Sequence, residues 1–258
     1  MTTRPIERTI KILVVNPNSS HDMTHGIERA IRGLDLALST QISTYTAPPE
    51  SPASINDGDD VECSARAVSR NLAEADILKD YDAVLVACFS VHPLVHQLAG
   101  DGRLGTGIFE ASILASLSLL SEPARGGKWG IVTTGKFWER HLSDGVTAFL
   151  GGDPAEANAR FAGVESTGLN AGDFHGDLDP AVVRQRLVEA TGRLLDRGNV
   201  ECVVMGCAGM AGLDEIIRSV AIEKYGERGR AVYIVDGITA GVGLLEQMVR
   251  NKRIFQGA

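Results

Sequence analysis

Tyr81–Cys88 (YDAVLVAC) and Val200–Cys207 (VECVVMGC) carry the reading of the fold. Each contains a short valine-rich apolar run without the alternation of a half-exposed strand, so each predicts a strand buried on both faces. Each run stops at a cysteine. Ahead of the first, Ile10–Val15 is another β-branched run, ending at the turn Asn16-Pro17-Asn18. Ser20 or Asp22 then caps a helix with Met23, Ile27, Ala30 and Leu34 on one face. Leu38–Thr46 reads as a strand and Ala47–Ser54 as a proline-rich loop. Val61, Ala65, Val68, Leu72 and Ala75 step at helical spacing. Leu104–Phe109 is a weaker fourth strand.

The second half repeats the pattern. Lys128–Val132 is a strand ending at Thr133-Thr134-Gly135, followed by a helix over about Phe137–Leu150 and a strand at Phe161–Glu165. Val183, Leu187, Ala190 and Leu194 mark a helix, Val232–Val235 a strand, and a final helix runs to about Val249. Asn16 precedes Cys88 by 72 positions, and Thr134 precedes Cys207 by 73. A further strand ending in an acid follows each cysteine, Glu110 after 22 positions and Asp236 after 29. Alternating strands and helices predict α/β architecture. The repeat predicts two similar lobes, each a parallel sheet flanked by helices, related by a pseudo-two-fold axis with a cleft between them. The expected division is 1–117 plus 226–258 for the lobe carrying Cys88, and 118–225 for the lobe carrying Cys207.

Composition narrows the function. The 258 residues carry a net charge of −8 and only 5% aromatics, which speaks against nucleic acid, base-stacking platforms or an acidic membrane as partner. No apolar run approaches the 18 or so residues of a membrane span, and the N-terminal run is too short for a signal segment. Four cysteines, with no C-x-x-C pair, make neither a disulfide scaffold nor a zinc ribbon. A reducing, cytoplasmic compartment with free thiols is the expectation. Gly100–Gly105 matches G-x-G-x-x-G literally but follows no strand and opens no helix, so it fails as a dinucleotide motif.

The carboxyl ends of parallel strands are where open α/β sheets bind ligands. Cys88 and Cys207 therefore face each other across the expected cleft. Two opposed thiols suit inversion at carbon: one thiolate removes a proton from one face and the other thiol returns one to the opposite face. A free thiol has a pKa near 8.5, so a helix start and the backbone amides after each cysteine are expected to assist. The same amides could hold a carboxylate or an enolate oxygen. No cofactor is needed for such a step. Each cysteine taken alone reads more readily as a small buried hydrophobe, and it is the paired placement at matched strand ends that favours chemistry for Cys88 and Cys207; Cys63 and Cys202 are read as core or incidental surface. His92 and His96, four apart, could share a helix face as metal ligands do, yet no third ligand is near, and no metal is expected. His92 is read as contacting substrate or tuning Cys88. Glu110 and Asp236 either orient cleft groups or cap helices.

Five motifs in order resemble the hydantoin and allantoin racemase group of the aspartate/glutamate racemase superfamily. They are Val15-Asn16-Pro17-Asn18-Ser19 with Met23-Thr24 beyond it, Ala87-Cys88-Phe89, Thr133-Thr134, Met205-Gly206-Cys207-Ala208-Gly209-Met210 and Val235-Asp236-Gly237. The resemblance spans about residues 11–247. It implies a two-lobed fold, cofactor-independent chemistry, a small-molecule substrate of the hydantoin or allantoin kind, and a homo-oligomer. Carried over, Cys88 and Cys207 are the acid/base pair. Asn16, Phe89, Ser90, His92, Thr133, Thr134, Ala208 and Gly209 line the substrate site. Phe89-Ser90-Val91-His92-Pro93-Leu94 departs from the usual acidic pattern after the first cysteine and resembles a fungal-type branch. The leading expectation is a racemase or epimerase of a hydantoin-like or amino-acid-derived ring. The rivals are an isomerase, lyase or imine epimerase of specialised metabolism using the same carbanion, and a non-catalytic two-lobed binding protein.

Overall fold

A computed structural model of the chain describes residues 8–36, 39–100, 102–120, 126–152, 159–174, 176 and 178–256. Among these, the strands form two four-stranded parallel sheets. The first contains β1 (Ile10–Asn16), β2 (Thr40–Thr46), β3 (Ala83–Val86) and β4 (Leu104–Gly107) in the order β2-β1-β3-β4. The second contains β5 (Lys128–Thr133), β6 (Phe161–Ser166), β7 (Val200–Gly206) and β8 (Tyr233–Asp236) in the equivalent order β6-β5-β7-β8. The central strands β1, β3, β5 and β7 are buried almost throughout, as their unbroken apolar runs require. The edge strand β6 alternates between more and less buried residues because one of its faces is partly open.

The helices are α1 (His21–Arg32), α2 (Gly58–Glu74), α3 (Leu94–Leu98), α4 (Ile108–Leu119), α5 (Phe137–Phe149), α6 (Pro180–Leu195), α7 (Asp214–Tyr225) and α8 (Gly237–Phe255). Side-chain caps fix several starts: Ser20 accepts from the Met23 amide, Asp57 from Asp60, Asp179 from Ala181 and Asp236 from Thr239. Helices α2 and α3 contribute to one core with the first sheet, and α6 and α7 to another with the second.

The last helix of each repeat crosses over. α4 follows β4 yet packs on β7 and β8, while α8 follows β8 and packs on β1, β3 and β4. One hydrophobic core consequently spans both lobes, with Ile12 and Leu85 from the first sheet, Trp129, Ile131 and Val204 from the second, and Ile113, Val242 and Leu245 from the crossing helices. Gly241 permits this approach, since a Cβ there would fall 2.4 Å from Leu85 Cδ1.

Several expectations shift at their edges. Leu104–Phe109 is strand only to Gly107; Ile108, Phe109 and Glu110 open α4, so Glu110 stands in a first helical turn while Asp236 does end its strand. A short apolar run cannot distinguish a buried helix start from a strand. Residues 233–236, expected with the first lobe as part of 226–258, pair with β7 in the second sheet; of that segment α8 is the element that packs on the first sheet. α8 continues to Phe255 rather than Val249. Leu38 and Asp101 lie outside the described residues.

Candidate active site

The register of each sheet brings its loops to one edge. Val15 pairs with Val86, and Val86 with Gly107, so the Asn16-Pro17-Asn18 turn and the Cys88 turn leave the first sheet side by side. Thr133 pairs with Gly206 in the second sheet, so Thr134 and Cys207 emerge together. The two edges enclose a cavity of about 30 Å³ lined by Asn18, Met23, Ile55, Ala87, Cys88, Phe89, Thr134, Trp138, Ala171, Gly206, Cys207 and Ala208. A groove of about 910 Å³ at the opposite edge of the first sheet, lined by Arg8, Lys11, Asp82, Arg103 and Lys252 among others, holds no thiol.

Five residues expected at the site meet on this cavity: Cys88, Phe89, Thr134, Cys207 and Ala208. The other five stand behind it. Asn16 is buried; its Nδ2 donates to the Ser20 carbonyl and to Thr24 Oγ1, each at 3.0 Å, and its Oδ1 accepts from the Asn18 amide. It thereby holds the turn that presents Asn18. Thr133 Oγ1 donates to the Gly206 carbonyl at 2.8 Å and ties the ends of β5 and β7. Ser90 Oγ donates to Cys88 Sγ, and the Gly209 amide to Cys207 Sγ, both at 3.3 Å.

His92 turns away from the cavity. Its Nδ1 accepts from the Leu94 amide at 3.3 Å, which leaves Nε2 to donate to Ser64 Oγ on α2 at 3.0 Å. Burial pushes its pKa down to about 4, so it is neutral near pH 7 and fastens α3 to α2. His96 is exposed, and among the described residues no group of three or more His, Cys, Asp or Glu gathers to hold a metal.

The amides after each cysteine are largely engaged: Ser90 N–H bonds the Cys88 carbonyl, Met210 N–H the Cys207 carbonyl, and Gly209 N–H the sulfur. The polar side chains on the lining besides the thiols are Asn18 and Thr134. Asn18 shares a turn with Asn16 and was within reach of sequence reasoning. Ile55, Trp138 and Ala171 come from loops and a helix start whose meeting no local pattern records.

Both thiols are held neutral at rest. Burial pushes Cys88 up to about 12, opposed by the Ser90 hydroxyl and reinforced by the charges of Cys207 and Glu110. Burial pushes Cys207 up to about 11, opposed by the amides of Gly209 and Met210. The Glu110 carboxyl is itself raised by burial, and its Oε2 is buried without a hydrogen-bond partner.

Comparison with known proteins agrees with this architecture. The Asp/Glu/hydantoin racemase family model matches residues 12–245. An uncharacterised Schizosaccharomyces pombe protein, C1F7.10, is 34% identical over 93% of this chain and 92% of its own length. Hydantoin racemase of Pseudomonas sp. strain NS671 is 26% identical over 93% of this chain and 86% of its own. The crystal structure of allantoin racemase from Pseudomonas fluorescens superposes with a TM-score of 0.74 at 26% identity, covering 94% of this chain and 92% of that one. Paired strand-end cysteines, two facing parallel sheets and a family match over nearly the whole length lead to one conclusion: the chain belongs to the Asp/Glu/hydantoin racemase family and is an isomerase of the racemase type.

Proposed function

We propose that the protein racemises or epimerises a hydantoin-like ring without a cofactor, with Cys88 and Cys207 as its acid/base pair. One observation carries the reading: thiols from matched strand ends of two separate sheets line the same cavity. One sulfur, as thiolate, takes the proton from the ring carbon beside the carbonyl. The C–H electron pair moves into the carbonyl as an enolate, and the S–H of the other cysteine delivers a proton to the opposite face. Turnover leaves the two sulfurs with exchanged protonation, which proton exchange with water or turnover of the mirror-image substrate resets. Thr134 Oγ1 and the Asn18 side chain stand where ring carbonyls can be polarised.

The lining contains no Asp, Glu, Lys or Arg. A free amino acid would bring its ammonium and carboxylate into this cavity without a charged partner, at considerable desolvation cost. A neutral ring avoids that cost. The names of the hydantoin and allantoin racemases among the similar proteins support the same substrate class. Four free cysteines fit a reducing, cytoplasmic compartment, and no described helix is long and apolar enough to cross a membrane. The family resemblance supports a homo-oligomer.

The test is circular dichroism on enantiopure 5-substituted hydantoins and allantoin, run in D₂O. Loss of optical activity with deuterium at the stereocentre and an unchanged skeleton supports racemisation. A changed skeleton points to lyase or isomerase chemistry instead. Native-rate racemisation by the Cys88→Ser/Cys207→Ser double variant would sink the two-thiol mechanism.

A further inference from the structure

The cavity between the thiols measures about 30 Å³. A substituted five-membered ring is several times larger, and small-molecule sites commonly run to hundreds of Å³. The site must therefore widen to admit it, and the residues that join the two lobes beside the cavity bear on how.

Alongside the packing of α1 on residues 208–210, two polar ties join the lobes beside the cavity. Ser54, Ile55 and Asn56 lie between β2 and α2 in the first lobe. Ala171 and Gly172 begin a single 3-10 turn after β6 in the second. Asn56 Oδ1 accepts from the Ala171 amide at 3.3 Å, and Ser54 Oγ accepts from the Gly172 amide at 3.2 Å. Ser54 Oγ also donates to Asn56 Oδ1 at 3.1 Å, so the two ties form one network. Ile55 sits between them. It is 5% exposed and lines the cavity, as does Ala171 opposite. Outward-facing ties and inward-facing apolar contacts thus come from the same short segments.

We propose that Ile55 and Ala171, drawn together by Ser54 and Asn56, are the specificity wall that meets the substrate's ring substituent and closes behind it. The wall is assembled only when the lobes are shut, and it presents an isoleucine side chain and a methyl group to whatever the ring carries. An apolar substituent gains from that contact. A ureido or charged substituent would lose hydrogen bonds to water without replacement. Ser54 and Asn56 are positioning residues; Ile55 reads the substituent. The assignment of the reader rests on the racemase function proposed above, whereas the closure does not.

The four cysteines supply the test. The protein is alkylated with iodoacetamide and, separately, with the bulkier N-benzyliodoacetamide, and each site is followed by peptide mass spectrometry. Cys63, partly exposed on α2, is the reference for intrinsic reactivity; Cys202, fully buried in the core, reports global loosening. In Ser54→Ala/Asn56→Ala, alkylation of Cys88 and Cys207 should rise about tenfold relative to Cys63 while Cys202 stays protected, since losing two inter-lobe hydrogen bonds favours local opening. In Ile55→Ala, the benzyl reagent should gain several-fold more than iodoacetamide at the same two sulfurs, because a shortened wall admits bulk. Unchanged rates at Cys88 and Cys207 in the first variant, or equal gains by both reagents in the second, overturn the wall. Should the first variant loosen Cys202 as well, the reagent ratio in Ile55→Ala decides alone. A racemase reading that fails on every hydantoin leaves the alkylation pattern standing, so the two failures are distinguishable.

Discussion

The turn after β3 and the turn after β7 do the same job with different parts. Both leave a central strand at its carboxyl end, and both present a cysteine to the same cavity. The residue before Cys88 is alanine; the residue before Cys207 is glycine. The Cys88 sulfur receives a side-chain hydroxyl, from Ser90, which can rotate away. The Cys207 sulfur receives the backbone amide of Gly209, which cannot. The Glu110 carboxylate bears on Cys88, whereas the backbone amides of Gly209 and Met210 bear on Cys207. The repeat therefore supplies two opposed faces, while the local turns make the sulfurs unequal.

The largest effect tests whether the two turns are equal partners. Cys88→Ser and Cys207→Ser should each lower kcat by roughly 10²–10⁴-fold, since each removes one of the two proton carriers of the proposed mechanism. Retention of substantial turnover in one variant alone would break the parity and leave a one-base enzyme.

The pH profile comes next. The proposed mechanism needs one thiolate and one thiol. Both pKa values are raised, so at neutral pH the singly ionised pair is scarce and grows about tenfold per pH unit. The ratio kcat/KM should therefore climb with pH from 7 toward 10, and fall only when the second sulfur ionises near 12. A plateau already reached at pH 8 would mean that substrate or the closed lobes lower a thiol pKa substantially. The linkage to stability has the opposite sign. A thiol whose pKa is raised on folding contributes stability below its unfolded value of about 8.5, and that contribution is lost as pH rises through the folded value.

The Ala87/Gly206 difference makes a stability prediction. A Cβ on Gly206 would lie 2.6 Å from Ile131 Cγ2 and 2.9 Å from the Val132 carbonyl oxygen, so the strand itself would have to move. Gly206→Ala should cost about 1–3 kcal/mol by overpacking. Ala87→Gly should cost about 0.5–1 kcal/mol through backbone freedom. Urea unfolding of both variants measures the contrast, and equal costs would show that the two turns pack alike.

The same contrast explains what the sequence could tell. Strands buried on both faces are written as unbroken apolar runs, so β1, β3, β5 and β7 were legible, and with them the placement of both cysteines at strand ends. Ile108–Leu119 was not, because a helix held between two sheets is apolar around most of its circumference and shows little periodicity. The pairing of His92 with Ser64, 28 positions earlier on another helix, is not recorded in local spacing. Ile55 and Ala171 share the cavity lining through the facing of two lobes, which spacing within either lobe does not encode.

Glu110 offers the smallest and most selective change. Gly107 and Val86 are register partners, so the first turn of α4 runs beside the Cys88 turn, and Phe109 packs edge-on against Phe89 with ring centroids 5.5 Å apart. The carboxyl folds back over Gly107, where a Cβ would fall 2.4 Å from Oε2. His96 on α3 and Cys88 bear on it electrostatically, and Asp236 precedes Gly237, where a Cβ would fall 3.0 Å from Ile108 Cβ. Glu110→Gln keeps an oxygen to accept the amides of the helix start and removes only the charge. Across the alkaline range in which Cys88 titrates, Glu110 is ionised even with its raised pKa, so its negative charge opposes the thiolate. Removing it should lower the alkylation midpoint of Cys88, measured in a Cys207→Ser background. The midpoint of Cys207, measured in Cys88→Ser, should not move. Equal shifts at both sulfurs would mean that the carboxylate acts on the cleft as a whole. The inequality between the turns would then rest on Ser90 and Gly209 alone.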